Sequence, residues 1–472
     1  MKVVVLIWCA LAVVGLATRS HVAALGCSAA SLAAVALAVS RYRRARGGLN
    51  VADPLMPLIG LFAYAYAVVP LLEGFDESAF LSLPGYLDLP PTQFRIAAVF
   101  ASGALLCLLL GASSGPREAT IVAAPSRPSD SRAVLVLALV FSLLGFASVL
   151  LILYTAGALH LPIGDILRGR ARGQALATFS GRGYLSVGLV LLTLAAPCWA
   201  LWACARPSRL RAAVCALVLL AAMLALGGPI GSRLFALSLP VSVVVVVHLH
   251  YRRISELQAV AAGSLILGAG VLVLVLRGGA GDGGALGSVG LLAFTLDGFN
   301  FLVNALDPEA PLLWGRSLVE DGLLTYLPRG LWSGKPEVYG FVGLQDQVVP
   351  GLLEDFGGAS SATFPVGLLA EGFLNFGAAG VLLLAWFVSA ALRRIRDVTM
   401  NERSAFAVIL LSWLVPNQLS LLRGLGQFLA SMAVVVVLLS PLLLSTSSSQ
   451  PRGRSGPHRP WQASTGDVTD PV

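Results

Sequence analysis

"AVLVLALVFSLLGFASVLLILYTAG", residues 133–157, runs for 25 residues without one charged side chain. As a helix rising about 1.5 Å per residue it exceeds the roughly 30 Å of hydrocarbon in a bilayer. Runs of this kind recur along the whole chain, and they decide the class. Of the 472 residues 57% are hydrophobic and only 12% charged, with a mean hydropathy of +0.84. A soluble chain carries about twice that share of charge. Transmembrane barrels need segments of alternating hydrophobicity, about ten residues long, and none occurs here. The reading is an all-α, polytopic integral membrane helix bundle.

Twelve spans are expected, at 3–18, 22–40, 52–72, 93–111, 133–157, 183–204, 211–227, 232–249, 258–276, 364–391, 404–417 and 426–445. They divide the chain into residues 1–277 with nine spans, a large loop over 278–363, three more spans over 364–445, and a Ser-, Pro- and Gly-rich tail at 446–472 expected to be disordered. The segment 286–306 reads as an interfacial helix, with Asp297, Asn300 and Asn304 forming a wet stripe at helical spacing.

The net charge of +8 points to the membrane rather than to nucleic acid, because of where the arginines lie. "RYRRARGG" (41–48), Arg117 to Arg132, "ARPSRLR" (205–211), "HYRR" (250–253) and "RRIRD" (393–397) occupy alternate loops. Those loops and the tail hold 19 of the 30 arginines, which the positive-inside rule assigns to the cytoplasm. Both termini then face the cytoplasm and 278–363 faces outward. The acidic loop at 73–92 falls on the outer side, in agreement.

One outer loop breaks the rule. Residues 158–182 carry Arg168, Arg170, Arg172 and Arg182 against the single acid Asp165. Arg95, Arg233, Arg277 and Arg423 also sit on that side, near span ends. Arginine is always charged and pairs bidentately with phosphate or carboxylate, so the cluster reads as an outer anion site sized for a pyrophosphate or an acidic sugar. Anchoring to lipid phosphates is the plainer use of any single one of these arginines.

The long loop is net acidic. Its cations Arg316, Arg329 and Lys335 face ten carboxylates, among them the adjacent Glu320 and Asp321. Internal salt bridges are the plain expectation for each cation. Glu371 lies about a turn inside a span, where an ionisable group is costly and is either functional or snorkels to the interface. The six cysteines all fall in apolar stretches without a CxxC pair, and no DxDxDG spacing occurs. Neither a metal site nor a cofactor is expected.

"GRSLVEDGLLTYLPRGLWSGKP" (315–336) followed by "TFPVGLLAEGFLNFGAAGVLL" (363–383) resembles the oligosaccharide repeat-unit polymerases, the Wzy-type O-antigen and exopolysaccharide polymerases. The matching positions are Gly315, Ser317, Pro328, Arg329, Trp332, Lys335, Pro336, Thr363, Asn375, Phe376, Gly377 and Gly380. An Arg-x10-Gly pattern found in outer loops of some members fits Arg170 to Gly181, Arg172 to Gly183 and Arg329 to Gly340. The resemblance implies a multi-pass protein of the bacterial cytoplasmic membrane and en bloc glycosyl transfer on its outer face. A glycan on undecaprenyl pyrophosphate passes to a hydroxyl of the next lipid-linked repeat, beside a flippase and a chain-length regulator. In that chemistry Arg168, Arg170, Arg172, Arg233, Arg316, Arg329 and Arg423 are candidates to hold phosphate, with Lys335 assisting. Glu320 or Glu371 is the base. Trp332, Tyr326 and Tyr339 are candidates to face the sugars.

Other readings differ in their demands. An O-antigen ligase relies on a histidine in its large outer loop, and none of His21, His160, His248, His250 and His458 lies in 278–363. A mannosyltransferase-type enzyme needs an acidic motif in its first outer loop, which here is only "ATRSH". A transporter or flippase of lipid-linked glycans would carry charge within its spans and have short, symmetric loops.

Overall fold

The computed structural model describes residues 2–46, 50–71, 91–113, 131–162, 164, 166, 185–227, 233–265, 312–324, 326–327, 331–335, 367–401, 404–422 and 424–447. All regular structure among them is helical. The helices are α1 (Lys2–Thr18), α2 (His21–Arg46), α3 (Leu55–Leu71), α4 (Pro91–Ser113), α5 (Ser131–Thr155), α6 (Ser186–Ala205) and α7 (Arg209–Gly227). Next come α8 (Arg233–Val246, closed by a π turn at Val247–Tyr251) and α9 (256–265). In the large loop α10 is Arg316–Val319 continued by a π turn at Glu320–Leu324. The chain ends with α11 (Gly367–Asn401), α12 (Ala405–Asn417) and α13 (Leu425–Ser447).

Seven of these helices are long and apolar enough to cross a bilayer and four shorter ones are apolar too. They coincide with eleven of the twelve expected spans. The twelfth, 258–276, begins as α9 and then leaves the described residues, as do the expected interfacial helix at 286–306 and the tail after 447.

Helix α5 shows why the solvent must be lipid. Val134, Ala138, Phe141, Val149 and Ile152 are buried, while Val136, Leu139, Leu143 and Leu150 on the other side are exposed. Both sets recur at helical spacing, so one apolar stripe meets protein and another meets the surroundings. A water-soluble helix would put charge on the second stripe. The same holds for Leu217, Leu220 and Leu224 on α7 and for Val436 and Val437 on α13. The chain is a multi-pass helical membrane protein.

Between helices, small residues take the place of a hydrophobic drive. Gly188 of α6 lies under the side chain of Ser148 on α5, and a Cβ on Gly145 would approach the Gly188 carbonyl to 3.1 Å. That pairing draws α5 and α6 together, and α6 becomes the buried centre, with every residue from 188 to 201 buried. Its polar groups are satisfied internally. Trp199 donates to Ser142 (2.9 Å), and Thr193 accepts from Trp413 of α12 (2.9 Å).

One end of the bundle is tied by charge. Fully buried Asp53 accepts from Tyr42 (2.8 Å), from Arg396 (3.2 Å) and from the backbone of Leu55 (3.1 Å). Arg396 also pairs with Asp397 (2.6 Å), and Gln418 reaches the Pro54 carbonyl (2.6 Å). Arg43 meets Glu256 at 2.8 Å nearby in the chain's topology, joining α2 to the start of α9. Tyr42 and Arg43 of one basic segment are thus linked through Asp53 to Arg396 of another, and to Glu256, three residues past the segment 250–253.

Asp53→Ala is expected to destabilise the protein by about 3 kcal/mol, since it removes one buried acceptor from Arg396, Tyr42 and the Leu55 N–H together. Asp53→Asn, which keeps an acceptor for Tyr42 and Leu55, should cost less. Thermal unfolding in detergent reads the difference, and equal melting of Asp53→Ala and the unsubstituted protein would remove Asp53 from this role.

Candidate functional site

Helix α11 was expected to be one span, 364–391; it is two helices meeting at Gly377. The backbone there has φ 68° and ψ −163°, a region closed to residues with a Cβ. In a straight helix residues 372 and 380 stand about 12 Å apart. Here a Cβ on Gly372 would meet the Gly380 carbonyl and the Val381 Cα at 3.0 Å, so the ten-residue first half folds back along the second. Gly372 and Gly380 are the facing residues because no side chain fits between the two backbones.

The break leaves carbonyls without their helical partners, and the large loop fills them. Leu313 N–H donates to the Leu374 carbonyl (3.1 Å) and Trp314 N–H to the Asn375 carbonyl (3.0 Å). The Asn375 side chain completes the joint. Its Oδ1 accepts from Gly315 N–H (3.0 Å), while Nδ2 donates to Ser317 Oγ (2.7 Å) and to the Glu371 carbonyl (2.7 Å). Asn375 and Ser317 are both buried. One amide thus holds together two segments about sixty residues apart.

Beneath this clasp lies a pair of carboxyl groups. Glu371, 1% exposed, does not snorkel; it turns to the first turn of α13. There it accepts from Leu425 N–H and from Gly426 N–H (3.3 Å to Oε1). Helix N-termini present unpaired N–H groups and a partial positive charge, so a carboxyl group is well placed there. Gly424 admits it, since a Cβ at that position would sit 3.3 Å from Oε1. Asp321, on the π turn of α10, faces Glu371 closely enough for their charges to interact. Its Cβ lies where a side chain on Gly426 would have to go, at 2.7 Å.

Neighbouring Glu320 turns the other way and pairs with Arg316 at 2.7 Å. That pair is accessible, the Arg316 side chain being 74% exposed. Tyr326 braces the loop against the spans through Ser431 of α13 (2.9 Å), with Ser186 of α6 also in reach. Burial pushes its phenol above the ordinary value, so it serves as a neutral strut.

The expected site residues are therefore distributed unevenly. Glu320, Arg316 and Glu371 come together around the clasp. Lys335, 3% exposed, donates to the Leu327 carbonyl (2.9 Å) and so folds back on its own loop. Trp332 is exposed. Arg233 begins α8. Arg168, Arg170, Arg172, Arg329 and Arg423 lie outside the described residues, as does Tyr339. Asn375 had been noted only as a motif letter, and the pairing of Asp321 with Glu371 had no sequence signal of its own. The glycines of "RGLGQ" (423–427) were the available hint that something approaches the start of the last span. Compared with known proteins, the chain matches no family model, no curated protein and no solved structure.

Two substitutions separate fold from chemistry here. Gly377→Ala is expected to lose about 1–3 kcal/mol by forcing a Cβ into a closed backbone region. Glu371→Ala leaves two buried N–H groups bare at about 1–3 kcal/mol each, whereas Glu371→Gln keeps an acceptor for them. Melting temperatures ranked Gln above Ala are the expected result; the reverse order would show that Glu371 does not cap α13.

Proposed function

We propose that the protein polymerises lipid-linked oligosaccharide repeat units at the outer face of a bacterial cytoplasmic membrane, with both termini in the cytoplasm. The observation that carries this reading is the Asn375 clasp. The two segments through which the chain resembles the repeat-unit polymerases, 315–336 and 363–383, meet through that one side chain beside accessible and buried carboxyl groups. Motif letters brought into contact by the fold are better support than letters merely present in order.

In the proposed reaction a hydroxyl of the incoming lipid-linked repeat attacks the anomeric carbon of the glycan held on undecaprenyl pyrophosphate. The bond from that carbon to the pyrophosphate oxygen breaks, and the hydroxyl proton goes to a carboxylate. Glu320 is the reachable acceptor, being at the surface and oriented by Arg316. Glu371, with its oxygens engaged by α13, acts as a positioning group. The departing pyrophosphate gathers negative charge, which guanidinium groups would offset. Arg170, Arg172, Arg233 and Arg329 take that role in the proposal. Lys335, folded onto Leu327, supports the loop rather than the phosphate. The outer face was assigned by arginine placement, and reporter fusions at 158–182 and 278–363 give the direct measure of it.

Deletion of the gene is expected to leave single repeats where the surface or secreted glycan formed a ladder; an unchanged ladder sinks the reading. In the complemented strain Arg172→Lys and Arg329→Lys should shorten the ladder nearly as much as alanine does, because an ammonium cannot grip phosphate in two places. Full-length glycan from every arginine variant at equal expression would take those residues out of the mechanism.

A further inference from the structure

Trp314 is one of two non-glycine residues with positive φ among the described residues, at 50°, and the larger of the two. A left-handed backbone is unfavourable for a bulky side chain by about 1 kcal/mol or more, so something must hold it there. The clasp does. Leu313 N–H is bound to the Leu374 carbonyl, Trp314 N–H to the Asn375 carbonyl and Gly315 N–H to Asn375 Oδ1, three successive donors fixed on one helix end. The adjoining Arg316 N–H returns to the Leu313 carbonyl at 2.9 Å. Under Gly315 lies the ring of Phe376, 3.6 Å from where a Cβ would be.

The result of this bracing is an indole left in the open. Trp314 is 76% exposed and precedes by two residues Arg316, whose ion pair with Glu320 is accessible. Packing does not explain the arrangement, since the ring packs on almost nothing. Membrane anchoring explains it poorly, because an interfacial tryptophan needs no particular backbone angle. An open ring on a fixed stretch of backbone, in a turn that also carries a donor and an acceptor, suits a flat, amphipathic ligand. The apolar face of a pyranose is such a ligand, with hydroxyls at its rim for Arg316 and Glu320.

We propose that Trp314 is a sugar-stacking residue that sets the repeat unit over the Arg316–Glu320 pair, and that its left-handed backbone is maintained for this purpose. The inference rests on the polymerase reading and adds to it a binding residue for the glycan.

Glycine relaxes the strain that tryptophan bears at this position, so the two roles of the residue separate in one variant. The lipid-linked repeat accumulated by the deletion strain serves as substrate for purified protein in nanodiscs. Trp314→Gly and Trp314→Ala are expected to raise KM for it about tenfold, the size of one aromatic contact, with kcat little changed. Trp314→Phe should recover most of the loss. The melting temperature of Trp314→Gly should equal or exceed that of the unsubstituted protein. An unchanged KM overturns the proposal, and so does a fall in both KM performance and melting temperature in the glycine variant, which marks a structural ring. Brominated lipids provide the membrane arm: emission quenched in the unsubstituted protein and less so in Trp314→Phe would place the indole in the bilayer and also overturn it. If the deletion strain accumulates no single repeats, the polymerase reading fails first, before Trp314 is tested.

Discussion

Backbone hydrogen bonding inside a low-dielectric bundle is the constraint from which the rest of this structure follows. A membrane helix may be interrupted only where other groups take over the N–H and C=O groups that the interruption frees. At Gly377 the Leu374 and Asn375 carbonyls are taken over from far away in the chain, by the N–H groups of Leu313 and Trp314, while Gly315 binds the Asn375 side chain. The break is thus the device that fastens the large loop to the spans. Without it, Leu374 and Asn375 would bond within their own helix and the loop would have no fixed seat.

A second exchange of the same kind occurs a few residues away. The first turn of α13 has N–H groups with no helical acceptors, and Glu371 supplies oxygens for two of them. Because Glu371 lies on the folded-back half of α11, the position of α13 depends on that fold. Asp321 brings α10 into the same contact through Gly426. Loop, broken helix and last span therefore form one unit, in which the accessible Glu320 and Trp314 sit on parts that cannot move independently. The other end of the bundle has its own lock in Asp53 and Arg396. Between the two locks the contacts are mostly apolar or made by small residues, joined by single hydrogen bonds such as Trp199 to Ser142 and Trp413 to Thr193.

Much of this was legible in the residues. Helix positions followed from uninterrupted apolar runs, since any such run must satisfy its backbone internally in lipid. The sharing of one end by the arginine-rich segments followed from their alternation, and Arg43–Glu256 and Arg396–Asp53 fit it. The importance of Asn375, Phe376, Gly377 and Gly380 was visible as pattern, although not what those letters do. Glu371 drew notice because a carboxyl group in a span is costly, while its partner could not be named. Lys335, expected to assist at phosphate, is buried and donates to the Leu327 carbonyl of its own loop, a contact with no signal along the sequence.

What the amino-acid order determined by itself is everything governed by local hydrophobicity and charge: an all-helical membrane bundle, its span positions and its charge asymmetry. Those properties depend on each segment's transfer between water and lipid, which a segment carries with it wherever it is placed. Tertiary structure alone decided that α11 folds back, that Asn375 joins segments sixty residues apart, and that Glu371 meets the start of α13. Each of these depends on which donor finds which acceptor once neighbouring backbones have packed, and that pairing has no periodicity along the chain to reveal it.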